Sequence, residues 1–160
     1  MNDKELFDMF KKLDIKYNIV EHEYVYTVEE ANNINMDIDG IGCKNLFLTD
    51  HKGKYFLVFL KDDKRANLNE LRKLVKTKKL SFASVEELDK ILGLKQGSCT
   101  PLGIINDKDN LVTLLIDEDL VDQKVQCHPN RNNATISIEY IDLIKFLEYN
   151  KHHYILFRAN

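Results

Sequence analysis

The sequence is first informative for what it lacks. No internal repeat, low-complexity tract or Pro/Gly/Ser-rich linker interrupts its 160 residues. One domain over residues 1–160 is expected, a length that buries a real core without disulfides or metals. The longest apolar stretches, such as Phe56 to Leu60, fall far short of a membrane span. The charged start Met1-Asn2-Asp3-Lys4-Glu5 lacks the basic start and apolar run of a signal peptide, so a cytoplasmic chain is expected. An excess of positive charge is missing too. The formal net charge is -3, which argues against nucleic-acid binding through a broadly basic surface. A local patch is still allowed, because Lys61, Lys64, Arg65, Arg72, Lys73, Lys76, Lys78 and Lys79 crowd one stretch. It reads equally well as a solvated helix face.

Three cysteines, Cys43, Cys99 and Cys127, cannot all pair, and none are spaced as C-x-x-C. A disulfide framework or structural zinc is therefore not expected. The histidines show no H-E-x-x-H pattern, and His152-His153 reads as a solvated turn. No P-loop ending or dinucleotide glycine spacing occurs.

What is present is a mixture of helical and strand patterns. Leu6, Phe7, Phe10 and Leu13 share one face of a helix over 3–14. Ile19-Val20 suggests a short strand, and Thr27-Val28-Glu29-Glu30 resembles a capping box opening a helix that fades near Asn32-Asn33. Lys44–Asp50 and Lys54–Lys61 read as a hairpin around His51-Lys52-Gly53. Asn67 and Ser84, each followed three residues later by Glu, mark helix starts. Leu68, Leu71, Leu74 and Val75 would supply the buried face of the first; Val85, Leu88 and Ile91 or Leu92 that of the second. Leu102–Asn106 and Leu111–Ile116 read as a second hairpin. Val125–Cys127 and Ala134–Ile138 are further strands, 139–149 a helix on Ile141, Ile144, Phe146 and Leu147, and Tyr154–Phe157 a last strand. The expected class is α+β, one domain with a curved, mixed β-sheet flanked by helices.

Three segments could carry chemistry. In Gly42-Cys43-Lys44-Asn45-Leu46-Phe47-Leu48, strand alternation puts Lys44 with Leu46 and Leu48. It is either a lysine snorkelling to solvent or a cation beside a phosphate, carboxylate or oxyanion. Gly97-Ser98-Cys99-Thr100-Pro101 is either a tight connection or a loop whose backbone N–H groups hold an oxyanion or phosphate. In Cys127-His128-Pro129-Asn130-Arg131-Asn132-Asn133, His128 sits at a strand edge among polar neighbours, as a structural or a functional histidine. A Cys99–His128 nucleophile pair has no evident orienting group beyond Asn130 or Asn132.

Taken in order, Lys44-Asn45, Gly97-x-x-x-Pro101 with Leu102-Gly103-Ile104-Ile105-Asn106-Asp107, and His128-Pro129-Asn130 with Ala134-Thr135 resemble the YbaK/ProRS-associated editing superfamily. The closer likeness is to its stand-alone prolyl-tRNA editing branch, the PrdX-like or ProX proteins, and it covers about residues 3–157. The resemblance implies a curved mixed sheet with surrounding helices and hydrolysis of the ester joining an amino acid to the tRNA 3′ end. It implies alanyl-tRNA(Pro) as substrate, with a small acyl pocket that excludes proline, and no metal or organic cofactor. Mischarged tRNA(Pro) is the implied partner, with prolyl-tRNA synthetase a second candidate and no membrane. Carried over residue by residue, it puts Lys44, Asn45, Gly97, Ser98, Cys99, Thr100, Pro101 and His128 at the catalytic site. Asn130 joins the substrate contacts. Two other functions fit the same segments: removal of cysteine or another small amino acid from the tRNA, and a non-catalytic tRNA-binding module of the same fold.

Overall fold

The computed structural model describes residues 3–23 and 38–160. The capping box expected at Thr27–Glu30 lies outside the described residues. Helix α1 (Lys4–Lys12) leads into strand β1 (Asn18–Glu21); the hairpin β2 (Cys43–Thr49) and β3 (Tyr55–Lys61) follows. Helix α2 (Leu68–Leu74), the short strand β4 (Ser81–Phe82) and helix α3 (Val85–Leu92) come next. A 3₁₀ helix over Pro101–Asn106 precedes β5 (Val112–Asp117), β6 (Lys124–Cys127), β7 (Ala134–Glu139), α4 (Tyr140–Tyr149) and β8 (Tyr154–Phe157).

These strands form two sheets. One has five strands in the order β4-β2-β3-β5-β8, and the other three in the order β1-β7-β6. In the larger sheet β2 is antiparallel to β3 and β4, while β3, β5 and β8 run parallel. The smaller sheet is antiparallel throughout. The expected curved, mixed sheet is thus present as two sheets wrapped around a shared core.

The central strand β3 explains why its sequence is apolar almost without a break: it is buried on both faces. Leu57 and Phe59 turn into a core between the sheets with Phe47, Ile116, Val125, Ile136 and Ile138. Phe56, Val58 and Leu60 turn the other way, against Leu48, Leu115, Leu71 of α2 and Phe157. From α1, Phe10 meets Phe146 of α4 edge-on at 5.7 Å. Both Asn-x-x-Glu and Ser-x-x-Glu helix starts form as expected. The Asn67 side chain accepts from the Glu70 N–H, and Ser84 with Glu87 makes a full capping box.

Some expectations fail for identifiable reasons. Residues 102–106 are 3₁₀ helix rather than strand. Pro101 withholds a backbone donor and fixes φ at the first helical position, while the Thr100 hydroxyl accepts from the Leu102 N–H. Gly103 then packs so close that a Cβ would lie 2.7 Å from Leu94 Cδ1. Leu74 and Val85 sit at helix ends and stay largely exposed, as does Ile141. At 100° per residue Ile141 falls well off the arc that Leu143, Ile144, Phe146 and Leu147 turn inward.

His152 is also not in a solvated turn. It is buried, with Nε2 2.9 Å from Asp107 Oδ2 and Nδ1 2.9 Å from Asn150 O. Both partners are acceptors, so making both bonds requires a proton on each nitrogen. Asp107 also accepts from the N–H groups of Leu111 and Val112, tying the start of β5 to the turn before β8. Burial pushes the Asp107 carboxyl up, but the bonds from His152 and the two N–H groups outweigh it and hold the carboxyl below its ordinary value.

His152→Ala leaves that carboxylate buried with its imidazole partner gone and is expected to cost about 3–5 kcal/mol in urea unfolding. Because the folded Asp107 value is depressed, its contribution is complete above the unfolded value of about 4 and is lost as pH falls through the folded one. Stability should therefore fall less steeply below about pH 4 in His152→Ala than in the parent protein.

Candidate active site

The two sheets touch at one corner. The Ile41 N–H donates to Lys124 O at 2.8 Å and the Gln126 N–H to Ile41 O at 3.0 Å, a short parallel bridge. From it the chain leading into β2 and strand β6 leave side by side in the same direction. Cys43 and Cys127 both pack on the core between the sheets. The next residues on each path are the ones the sequence singled out: Lys44-Asn45 on one and His128 on the other.

Pairing with β3 fixes which way the first two face. Lys44 lies opposite Leu60 and Asn45 opposite Phe59. Directly opposed residues share a face, so Lys44 leaves the sheet on the α2 side, with Leu46 and Leu48. Asn45 points into the core between the sheets. The structure therefore separates this pair across the strand. Lys44 is half-buried and makes no hydrogen bond or ion pair with the described residues, while Asn45 Oδ1 is buried without a partner among them. Strand β4 pairs only with Leu48 and Thr49. Beside Lys44 and Asn45 that edge of β2 is unpaired among the described residues, so a ligand lying along it could reach both faces.

The glycine-to-proline loop closes onto the histidine segment. Gly97 adopts a left-handed φ of 87° that suits glycine, and the Ser98 N–H completes a turn onto Lys95 O at 3.0 Å. The Thr100 hydroxyl donates to His128 O at 2.8 Å while accepting from the Leu102 N–H at 3.3 Å. With the Ser98 N–H committed, the Gly97, Cys99 and Thr100 N–H groups give to no oxygen among the described residues.

The thiols here are inert. Burial pushes both Cys99 and Cys127 up to about 12, and Cys43 up as well. All three stay protonated at neutral pH, which weighs against a cysteine nucleophile paired with His128.

His128 has its ring oriented by one bond, Nδ1 to Ala134 O at 2.9 Å. A carbonyl only accepts, so Nδ1 carries the proton and Nε2 of the neutral ring is left as an acceptor. Burial lowers the His128 pKa, and the neighbouring His22 adds to the effect. Beyond it, Asn130 takes a left-handed φ of 63°, and both ends of its amide are buried without partners among the described residues.

The residues that steady this loop carry no local signal in the sequence. Arg131 bonds Asp3 at 2.7 Å, Glu21 at 3.0 Å and Asn133 at 3.1 Å, tying the loop to α1 and β1. His22 and Thr135 are close by, with the His22 and His128 ring centroids 6.4 Å apart. Among the described residues no group of three or more His, Cys, Asp or Glu is placed to hold a metal ion. The basic run thins on folding. Lys64 is engaged by buried Asp117 and by Asp119, and Arg72 by Asn69 and Thr77 O. Arg65, Lys73, Lys76, Lys78 and Lys79 remain exposed.

The chain is similar to known proteins both in sequence and in fold. The aminoacyl-tRNA editing domain family matches residues 22–146. A prolyl-tRNA editing protein, ProX, from Acetoanaerobium sticklandii is 39% identical over 141 residues, covering 87% of this chain and 86% of that protein. Prolyl-tRNA synthetase associated domain-containing protein 1 from Danio rerio is 36% identical over 152 residues, 93% and 83% of the two chains. Among solved structures, a candidate trans-editing enzyme for prolyl-tRNA synthetase superposes with a TM-score of 0.74 over 99% of this chain and 96% of that one. At 18% identity that likeness speaks for the fold.

An NMR titration of His128 should give a midpoint below the ordinary histidine value of about 6.5. The unfolded chain then takes up its proton first, so stability falls as pH drops from about 6.5 to the folded value and levels off below it. A midpoint above about 6.5 would contradict the burial described here.

Proposed function

The chain belongs to the aminoacyl-tRNA editing domain family, and from that premise we propose that it is a trans-editing hydrolase that removes alanine from mischarged tRNA(Pro). The observation that carries this reading is the Thr100–His128 bond. It holds a loop with uncommitted N–H groups at Cys99 and Thr100 against an oriented, neutral imidazole.

The reaction needs a held ester carbonyl, a stabilised tetrahedral oxyanion and a directed nucleophile. Water adds to the carbonyl carbon, and the bond to the ribose oxygen breaks. That oxygen leaves with the electron pair and takes a proton, giving free alanine and tRNA. The Cys99 and Thr100 N–H groups are the donors for the carbonyl oxygen. Asn45 and His128 orient the substrate and narrow the acyl pocket, and the substrate's 2′-hydroxyl assists the water. Lys44, on the other face of β2 and beside its open edge, anchors the terminal phosphate or ribose as a cation rather than acting as a base. Selectivity rests on size: a pocket that admits a methyl group excludes the proline ring sterically, so correctly charged tRNA is spared.

Deacylation assays on alanyl-, cysteinyl-, seryl- and prolyl-tRNA(Pro) test the proposal. The alanyl ester should be cleaved fastest and the prolyl ester hardly at all. Lys44→Ala should lower kcat/KM by about 10–100-fold, an electrostatic loss of about 1.4–2.7 kcal/mol. Cys99→Ala should stay within about threefold of the parent, because a protonated thiol contributes no nucleophile. Fastest cleavage of the cysteinyl ester would replace alanine as the substrate, and tRNA binding without hydrolysis of any ester would remove the enzymatic reading.

A further inference from the structure

His22, just after β1, has no role in the reading above, yet it bonds the residues on both sides of Ala134, whose carbonyl holds His128. Its backbone N–H donates to Asn133 O at 2.9 Å. Its Nε2 is 2.8 Å from Thr135 Oγ1, and its Nδ1 is 2.7 Å from Glu23 O. Asn133 and Thr135 flank Ala134, whose carbonyl accepts from His128 Nδ1–H. Because Glu23 O can only accept, His22 Nδ1 carries a proton. In the neutral ring Nε2 is then an acceptor, and the buried Thr135 hydroxyl donates to it.

We infer that His22 and Thr135 are positioning residues: together they fix the Ala134 carbonyl so that His128 keeps its proton on Nδ1 and presents an unprotonated Nε2 to the substrate. The need is local. Ala134 is the first residue of β7 and directly follows the loop in which Asn130 takes a left-handed turn. Backbone pairing reaches Ala134 from Glu21, and His22 extends that grip one residue past the end of β1. A tautomer set by one carbonyl is only as well defined as that carbonyl's direction. A small misplacement of an orienting group lowers rate more than binding.

This inference rests on the proposed role of His128 in ester hydrolysis, so its test has a readout that does not depend on activity. Thr135→Val keeps the shape and β-branching of the side chain and removes only the hydroxyl. In histidine-labelled protein, nitrogen NMR should show His128 as a single Nδ1–H tautomer, turning into a mixture in Thr135→Val and in His22→Ala. On alanyl-tRNA(Pro), Thr135→Val should lower kcat about tenfold with KM within about twofold, and Thr135→Ser should restore both rate and tautomer. The double variant His22→Ala/Thr135→Val should be no worse than the poorer single variant, since both remove one interaction. An Nε2–H tautomer in the parent protein, an unchanged tautomer in Thr135→Val, or additive losses in the double variant would overturn the inference. If the parent hydrolyses none of the esters, the functional reading fails, and the tautomer measurement still decides the role of His22.

Discussion

Two sheets that share a core must meet somewhere, and here they meet through the short parallel bridge between Ile41 and Val125. That bridge sets the direction in which the approach to β2 and strand β6 travel, and so which residues come out beside one another. Moving the register by one residue would swap Cys43 for Lys44 and Asn45 for Leu46 on the inner face, because successive strand residues alternate. The Thr100 hydroxyl adds the third member by bonding His128 O, bringing the glycine-to-proline loop against the same corner. The site is therefore a consequence of how the core closes rather than a cleft added to it.

The electrostatics of that corner favour neutral groups. The thiols are protonated and His128 is held low by burial, so the imidazole is uncharged where the cell works. Among the described residues no group there is placed to be a strong base. Such a site suits a reaction in which fixed N–H dipoles receive developing charge, and where the substrate brings a hydroxyl of its own. Charge enters from Lys44 on the opposite face and from exposed lysines on and beyond α2, which fits attraction to a phosphate backbone at some distance from the reacting atoms.

Much of the fold was legible in the sequence because local signals and burial agreed. The hairpin expected over Lys44–Asp50 and Lys54–Lys61 forms, with β3 buried on both faces, and the Ser84-to-Glu87 spacing announced a helix start that forms with both reciprocal bonds. The apolar run after Pro101 misled for the opposite reason: Leu102, Ile104 and Ile105 are apolar because they are buried all round a 3₁₀ turn, which periodicity does not distinguish from a strand. At the site, the Lys44, Gly97–Pro101 and His128 segments were visible as an ordered set. Their supports were not. His22 meets Thr135 across 113 positions, and Arg131 meets Asp3 across 128, separations at which a single sequence carries no local cue. His152 looked like half of a polar turn because its partner Asp107 is 45 positions away.

The central claim is that the loop donors and His128 receive an alanyl ester and refuse a prolyl one. The most direct measurement is an amide and imidazole chemical-shift titration with amide-linked, non-hydrolysable mimics of the aminoacylated tRNA 3′ end. The account predicts that the alanyl mimic shifts the Cys99 and Thr100 N–H signals and the His128 ring, while the prolyl mimic leaves them in place. Equal shifts from both mimics, or shifts confined to residues away from this corner, would contradict it.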